Sequence, residues 1–246
     1  MKIQYRLTVL LCALCFSTSF IAQIQHMGEP IQWSNKSMDL SEIPQISTEA
    51  LDMEAIEAED RIVDAFKETP YRFGIEHEVD LDLFEEGLMT ELEKGDKLWQ
   101  LGIRCPKASS INLLFNEWDI PVGGQLTIWS KDRSEFIGAF THENNKEFNS
   151  FAVGLVHSDR IVIEYYQQAG VTEQAQIVIG TIVHGYRPVL NKWENEEKGP
   201  FGNSGSCNMN VNCPDGSDWQ AEKRGVALIL NGGNAWCTGS LINNTS

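Results

Sequence analysis

Between roughly Tyr71 and Arg187 the chain alternates apolar and polar residues with a period of two, and no other feature limits its fold as tightly. Trp99, Leu101 and Ile103 alternate in this way, as do Ile111, Leu113 and Phe115, then Leu126 and Ile128, then Ile161, Ile163 and Tyr165, then Ile177 and Ile179. Successive side chains of a strand point to opposite faces, so each run predicts a strand with one apolar side. Turn-forming residues separate the runs at Pro121 to Gly124, at Glu143-Asn144-Asn145 and at Ser158-Asp159. Many short strands, each with one face to bury, predict a mainly β fold, an antiparallel β-sandwich in which two sheets cover each other. This domain is expected to occupy residues 71–190.

The flanking segments follow other rules. Residues 23–70 read as a polar leader that ends in a short helix, in which Leu51, Ala55, Ala58, Ile62 and Phe66 recur at three- and four-residue spacing. Ser47 and Thr48 are its capping candidates, Thr69-Pro70 stops it, and its apolar stripe is expected to pack against the body of the protein. Residues 191–205 are polar and charged, with Glu194, Glu196, Glu197, Lys198, Gly199 and Pro200 in succession or nearly so, which predicts a linker open to proteolysis. Val226 to Leu230 and Ser240-Leu241-Ile242 then read as two strands around a turn at Asn231-Gly232-Gly233-Asn234. Two strands in some forty residues do not close a core of their own.

A formal net charge of -16 argues against a nucleic-acid partner, because phosphate binding relies on clustered Lys and Arg that this sequence does not show. Lys2 and Arg6 precede an apolar run from Leu7 to Ala22 that is too short to cross a bilayer comfortably, which reads as a signal peptide over residues 1–22 cut between Ala22 and Gln23. After its removal no segment is expected to enter a membrane, and the chain is expected outside the cell. Export makes disulfides the default for cysteines. Cys207, Cys213 and Cys237 are the candidates, and because an odd number cannot pair internally, partners beyond Ser246 are expected. Cys105 stands in a different kind of sequence and reads as a buried free thiol.

The segment Gly205-Ser206-Cys207-Asn208-Met209-Asn210-Val211-Asn212-Cys213-Pro214, followed by Trp219 and by Cys237-Thr238-Gly239-Ser240-Leu241-Ile242-Asn243-Asn244-Thr245, resembles the start of the mature catalytic domain of bacterial lysyl endopeptidases. Its second block is also similar to the Cys-Gly-Gly-Ser-Leu-Ile strand of trypsin-like proteases. Upstream, Thr69-Pro-Tyr-Arg-Phe-Gly74 and the run from Leu98 to Gly124 look like the prodomain of the same secreted proteases. The resemblance implies a zymogen that hydrolyses proteins or peptides after lysine, with a Ser nucleophile, a His base and an orienting Asp, no cofactor and no metal. It places all three catalytic residues beyond Ser246, pairs Cys237 with the cysteine after the catalytic His, and makes residues 206–246 the first strands of a trypsin-like double β-barrel. It also makes the prodomain a partner of its own catalytic domain, and Lys198-Gly199 the bond whose cleavage releases it.

Other arrangements of the right residue types are set aside on physical grounds. Gly202-Asn203-Ser204-Gly205-Ser206 resembles a nucleophile loop but lies in the linker, without a rigid frame for a base and oxyanion donors. His157, Ser158 and Asp159 are adjacent, and neighbouring residues on a strand face opposite ways. His26, His77, His142, His157 and His184 show no metal-ligand spacing. The competing reading is a non-catalytic secreted β-sandwich of the adhesion or carbohydrate-binding kind. A third is a prodomain-like inhibitor acting on a separate protease.

Overall fold

In the computed structural model, which describes residues 28–34, 40–66, 69–189 and 214–241, every alternating run lies in a strand. Numbered along the chain, the strands are β1 (Gln45–Ser47), β2 (Tyr71–Arg72), β3 (Gly74–Asp82), β4 (Leu88–Glu91), β5 (Lys97–Arg104), β6 (Ser110–Asp119), β7 (Gly124–Ser130), β8 (Phe136–Phe140), β9 (Phe151–Ala152), β10 (Arg160–Gln167), β11 (Gln176–Gly185), β12 (Val226–Asn231) and β13 (Asn234–Ser240). They form three sheets, in the orders β1-β5-β10-β7-β8 with β4 also on β5, β3-β11-β6-β9, and β12-β13-β2. Pairing is antiparallel except for β1, which runs parallel to the end of β5. The protein is mainly β, and no sheet closes into a barrel among the described residues.

The two larger sheets share one core. Leu101, Ile103, Leu126, Ile128, Ile161, Ile163 and Tyr165 from the first meet Ile111, Leu113, Phe115, Ile177, Ile179 and Ile182 from the second. Trp118 closes one end, stacked on Phe151 with ring centroids 4.4 Å apart. Each fully buried aliphatic or aromatic side chain of this kind contributes about 1.5–3 kcal/mol of transfer free energy, which is why the alternation decides the fold.

The described residues that precede β2 are attached to the large body. A short helix, α1 (Ile31–Ser34), lies on the outer face of the six-stranded sheet. There the buried Glu164 accepts from the Gln32 N–H through both carboxylate oxygens at 3.3 Å and from Gln100 Nε2 at 3.0 Å. Gln100 Nε2 also donates to Gln32 Oε1 at 3.1 Å, and Trp33 stands edge-on to Phe136 and Trp129. Burial raises the pKa of Glu164, an effect opposed by the donors of Gln32 and Gln100.

The second helix, α2 (Met53–Phe66), begins later than the capping candidates imply, since Asp52 Oδ1 accepts from the Ala55 N–H. Its apolar stripe does not pack: Ile62 is 64% exposed and Phe66 69%. It is held by its acidic side instead. Asp60, 5% exposed, accepts from Arg72 at 2.8 Å and from the Tyr186 hydroxyl at 2.7 Å. Glu59 pairs with Arg72 at 2.9 Å and Asp64 with Arg187 at 2.6 Å.

On the second sheet, His184 faces His77 across β11 and β3, with ring centroids 5.8 Å apart. Burial, reinforced by repulsion from His77, lowers the pKa of His184 from 6.5 to about 4. His77 is lowered too, mainly by burial, with Glu49 acting in the opposite sense.

Two outcomes are expected. Asp60→Ala leaves two guanidinium groups short of their shared acceptor, so the urea midpoint should fall by the equivalent of about 1–3 kcal/mol, and amide exchange over α2 should speed up. A histidine whose pKa drops on folding holds fewer protons in the folded state. Stability should therefore decline as pH falls from 6.5 towards about 4. Urea titrations of His184→Gln should show a flatter decline than the parent over that range. The raised carboxyl of Glu164 acts in the reverse direction in both proteins and cancels in the comparison.

Candidate functional site: the joint between the large body and the C-terminal hairpin

The place where the structure departs furthest from sequence expectation is the third sheet. Its strand β2 leads directly into β3 of the large body, whereas β12 and β13 come some 160 residues later, and the three form one sheet. Asn234 pairs with Arg72 and Ala235 with Tyr71. The Phe73 and Gly74 N–H groups both donate to the Gly233 carbonyl, at 2.8 and 3.0 Å. In return the Gly233 N–H donates to Glu76 Oε1 at 3.0 Å.

Two glycines at the hairpin tip make this approach sterically feasible. Gly232 has φ +54, and a Cβ there would meet the Glu76 carboxylate; a Cβ on Gly233 would meet the Gly74 carbonyl. Asn231 pairs with Asn234 around them, so the tip is a two-residue hairpin loop of the kind glycine favours. Beneath the backbone contacts lies a second, smaller core of Phe73, Val183, Val189 and Ala235, with Tyr71, Leu155, Leu228 and Leu230 packed against it.

The other edge of the same segment is tied to the body. The Phe73 carbonyl accepts from the N–H groups of Tyr186 and Arg187, at 2.9 and 3.1 Å. Arg187 places its guanidinium 4.2 Å above the Tyr71 ring and donates from Nε to the Arg72 carbonyl at 2.8 Å. Tyr71 is thus covered by a cation on one side of the strand while its backbone pairs on the other. Burial, opposed by Arg187, raises the pKa of its hydroxyl.

The remaining residues singled out from sequence are dispersed. Cys237 lies exposed on β13, outside any disulfide among the described residues. Cys105 is a buried free thiol, and burial pushes it up to about 11, a value that leaves it protonated and unreactive at neutral pH. The His157 ring pairs with Glu135 at 3.1 Å, Ser158 Oγ donates to the Arg160 carbonyl and Asp159 approaches Arg160, so these three neighbours turn to different partners. No group of three His, Cys, Asp or Glu residues could hold a metal among the described residues. Cys207, Cys213, the Lys198-Gly199 bond, the Gly202–Ser206 segment and the Ala22-Gln23 bond lie outside the described residues. No described helix is long and apolar enough to cross a membrane.

The family model described as "Lysyl endopeptidase, C-terminal domain" matches residues 201–246, which include the whole of the hairpin and less than a fifth of the chain. Among solved structures, the isomalto-dextranase of Arthrobacter globiformis T6 complexed with panose is similar at 14% identity over 39% of this chain and 17% of that one, with a TM-score of 0.20. This chain therefore spans about a sixth of that enzyme, and a likeness at that level carries no argument. The family match supports a protein related to lysyl endopeptidases, a family of peptidases that act on proteins or peptides.

Proposed function

We propose that the chain belongs to the precursor of a secreted serine endopeptidase that cleaves after lysine. Residues 71–190 are its β-sandwich prodomain, 191–205 the linker that carries the release bond Lys198-Gly199, and 206–246 the first strands of the catalytic domain. The family match over residues 201–246 carries this reading, and its described part, the hairpin β12–β13, belongs to a sheet separate from the two that share the large core. The same part exposes Trp219, Val226, Ile229, Trp236 and Leu241, an apolar surface suited to burial in a larger barrel.

The chemistry is acyl transfer to a serine activated by histidine, with an aspartate holding the imidazole and backbone amides stabilising the oxyanion. None of these residues is assigned within the chain, which on this reading is inactive by itself. Cys207, Cys213 and Cys237 form disulfides with cysteines of the same catalytic domain. The linker is rich in charge, and an enzyme that cuts after lysine can cut Lys198-Gly199 itself. Substrates are proteins or peptides, and neither nucleic acid nor membrane is a partner after loss of residues 1–22.

Expression of the uninterrupted reading frame tests this. The secreted product should hydrolyse lysyl amides in preference to arginyl amides, and its first residue should be Gly199 or a glycine close to it. Lys198→Gln should delay maturation without abolishing the folded precursor. A product without peptidase activity, or a mature N-terminus far from Gly199, would overturn the assignment.

A further inference from the structure

We propose that the strand segment Tyr71–Glu76 is a docking surface for the hairpin β12–β13, one that keeps the two parts together after the connecting segment has been cut. The identification of the parts as prodomain and catalytic domain rests on the reading above; the joint itself does not.

Four features support a non-covalent joint rather than a contact imposed by the chain. The recognition is strand addition, in which main-chain groups of β13 and the Gly233 turn complete the free edge of β2 and the two residues after it. The edge is preorganised: Phe73 and Arg72 are already fixed from behind by Tyr186, Arg187 and Asp60, so little ordering remains when the hairpin arrives. The fit is steric, since Gly232 and Gly233 approach Glu76 and Gly74 in space that no side chain shares. An apolar core seals it, with Ala235, Leu228 and Leu230 against Phe73, Val183, Val189 and Leu155.

Among the described residues the hairpin finds its third strand in this partner. A two-stranded ribbon is marginal in water, and a third strand with an apolar face adds to its stability. Here β2 is the third strand. Cleavage of the linker breaks one covalent bond and none of these contacts, so separation becomes a second, distinct step in the release of the hairpin.

The test uses the full chain with a recognition sequence for a site-specific protease in place of Glu194–Gly199. After complete cutting, judged on a denaturing gel, the two pieces should co-elute in size-exclusion chromatography. Gly233→Val puts a side chain against the Gly74 carbonyl, and its cut pieces should separate while the near-ultraviolet circular dichroism of the buried Trp118 and Trp129 side chains is retained. Should Gly233→Val not fold, Glu76→Ala, which removes only the acceptor of the Gly233 N–H at an exposed position, should release the hairpin piece faster than the parent. Parent pieces that part on cutting, or variant pieces that stay together as the parent pieces do, overturn the proposal. The readout needs no peptidase activity, so an inactive full-length product would defeat the functional reading and leave the joint standing, and the reverse holds equally.

Discussion

Phe73 and Gly74 use their main chain in two directions at once, and the placement of the hairpin β12–β13 against the large body follows from that. Their N–H groups go to Gly233, while the Phe73 carbonyl takes the amides that end β11. A buried segment has to place all its backbone donors and acceptors, because an orphan costs as much as a lost hydrogen bond. Here one set is placed with the large body and the other with the hairpin, so the segment is a hinge pin shared by both. The Phe73 side chain, fully buried, then supplies the apolar centre around which Val183, Val189 and Ala235 gather.

The two helices added to the two-sheet core are attached in large part by polar contacts. α2 is held through Glu59, Asp60 and Asp64, and α1 through the Gln32 backbone N–H at Glu164 and the Gln32 side-chain carbonyl, which accepts from Gln100. The underlying reason is the sheet's own economy of faces. Alternation sends one set of side chains into the shared core, leaving outer faces on which Glu164, Gln100 and Thr127 stand side by side in register. A buried carboxylate there is tolerated only when donors converge on it, and Gln32 of α1 and Gln100 of β5 provide them. Attachment of this sort is specific in geometry and modest in strength, since desolvation of the charges offsets much of what their pairing returns.

The long strands were legible because burial on one face writes a period of two into the sequence, and β5, β6, β7, β10 and β11 appear where that period stands. The two-residue strands β2 and β9 left no period at all, and α1, only four residues long, has too few turns to show one. The helix at residues 53–66 was visible as a helix but misleading as a packing element. Its apolar stripe drew attention, while the Asp60 and Asp64 pair, one turn apart and destined for Arg72 and Arg187, carried the attachment. The joint was hidden for a different reason: a Gly-Gly turn announces a hairpin, and nothing local states which distant backbone will approach it.

That the joint depends on glycines has a consequence for selectivity. Main-chain pairing by itself is indifferent to sequence, and any extended segment with a free edge could add to β2. What narrows the choice is the volume between Gly233 and the Gly74 carbonyl, and between Gly232 and the Glu76 carboxylate, which excludes a Cβ at either position. Discrimination by excluded volume is negative selection: at Gly233 it penalises an alternative by a clash with the Gly74 backbone, which cannot move aside, whereas at Gly232 the obstacle is the Glu76 side chain and the positive φ adds to the penalty. The hydrogen bond from the Gly233 N–H to the Glu76 side chain then helps to fix the register of the turn along the strand. Strength at this joint thus comes from the apolar cluster and the paired backbone, whereas identity comes from atoms that are not there.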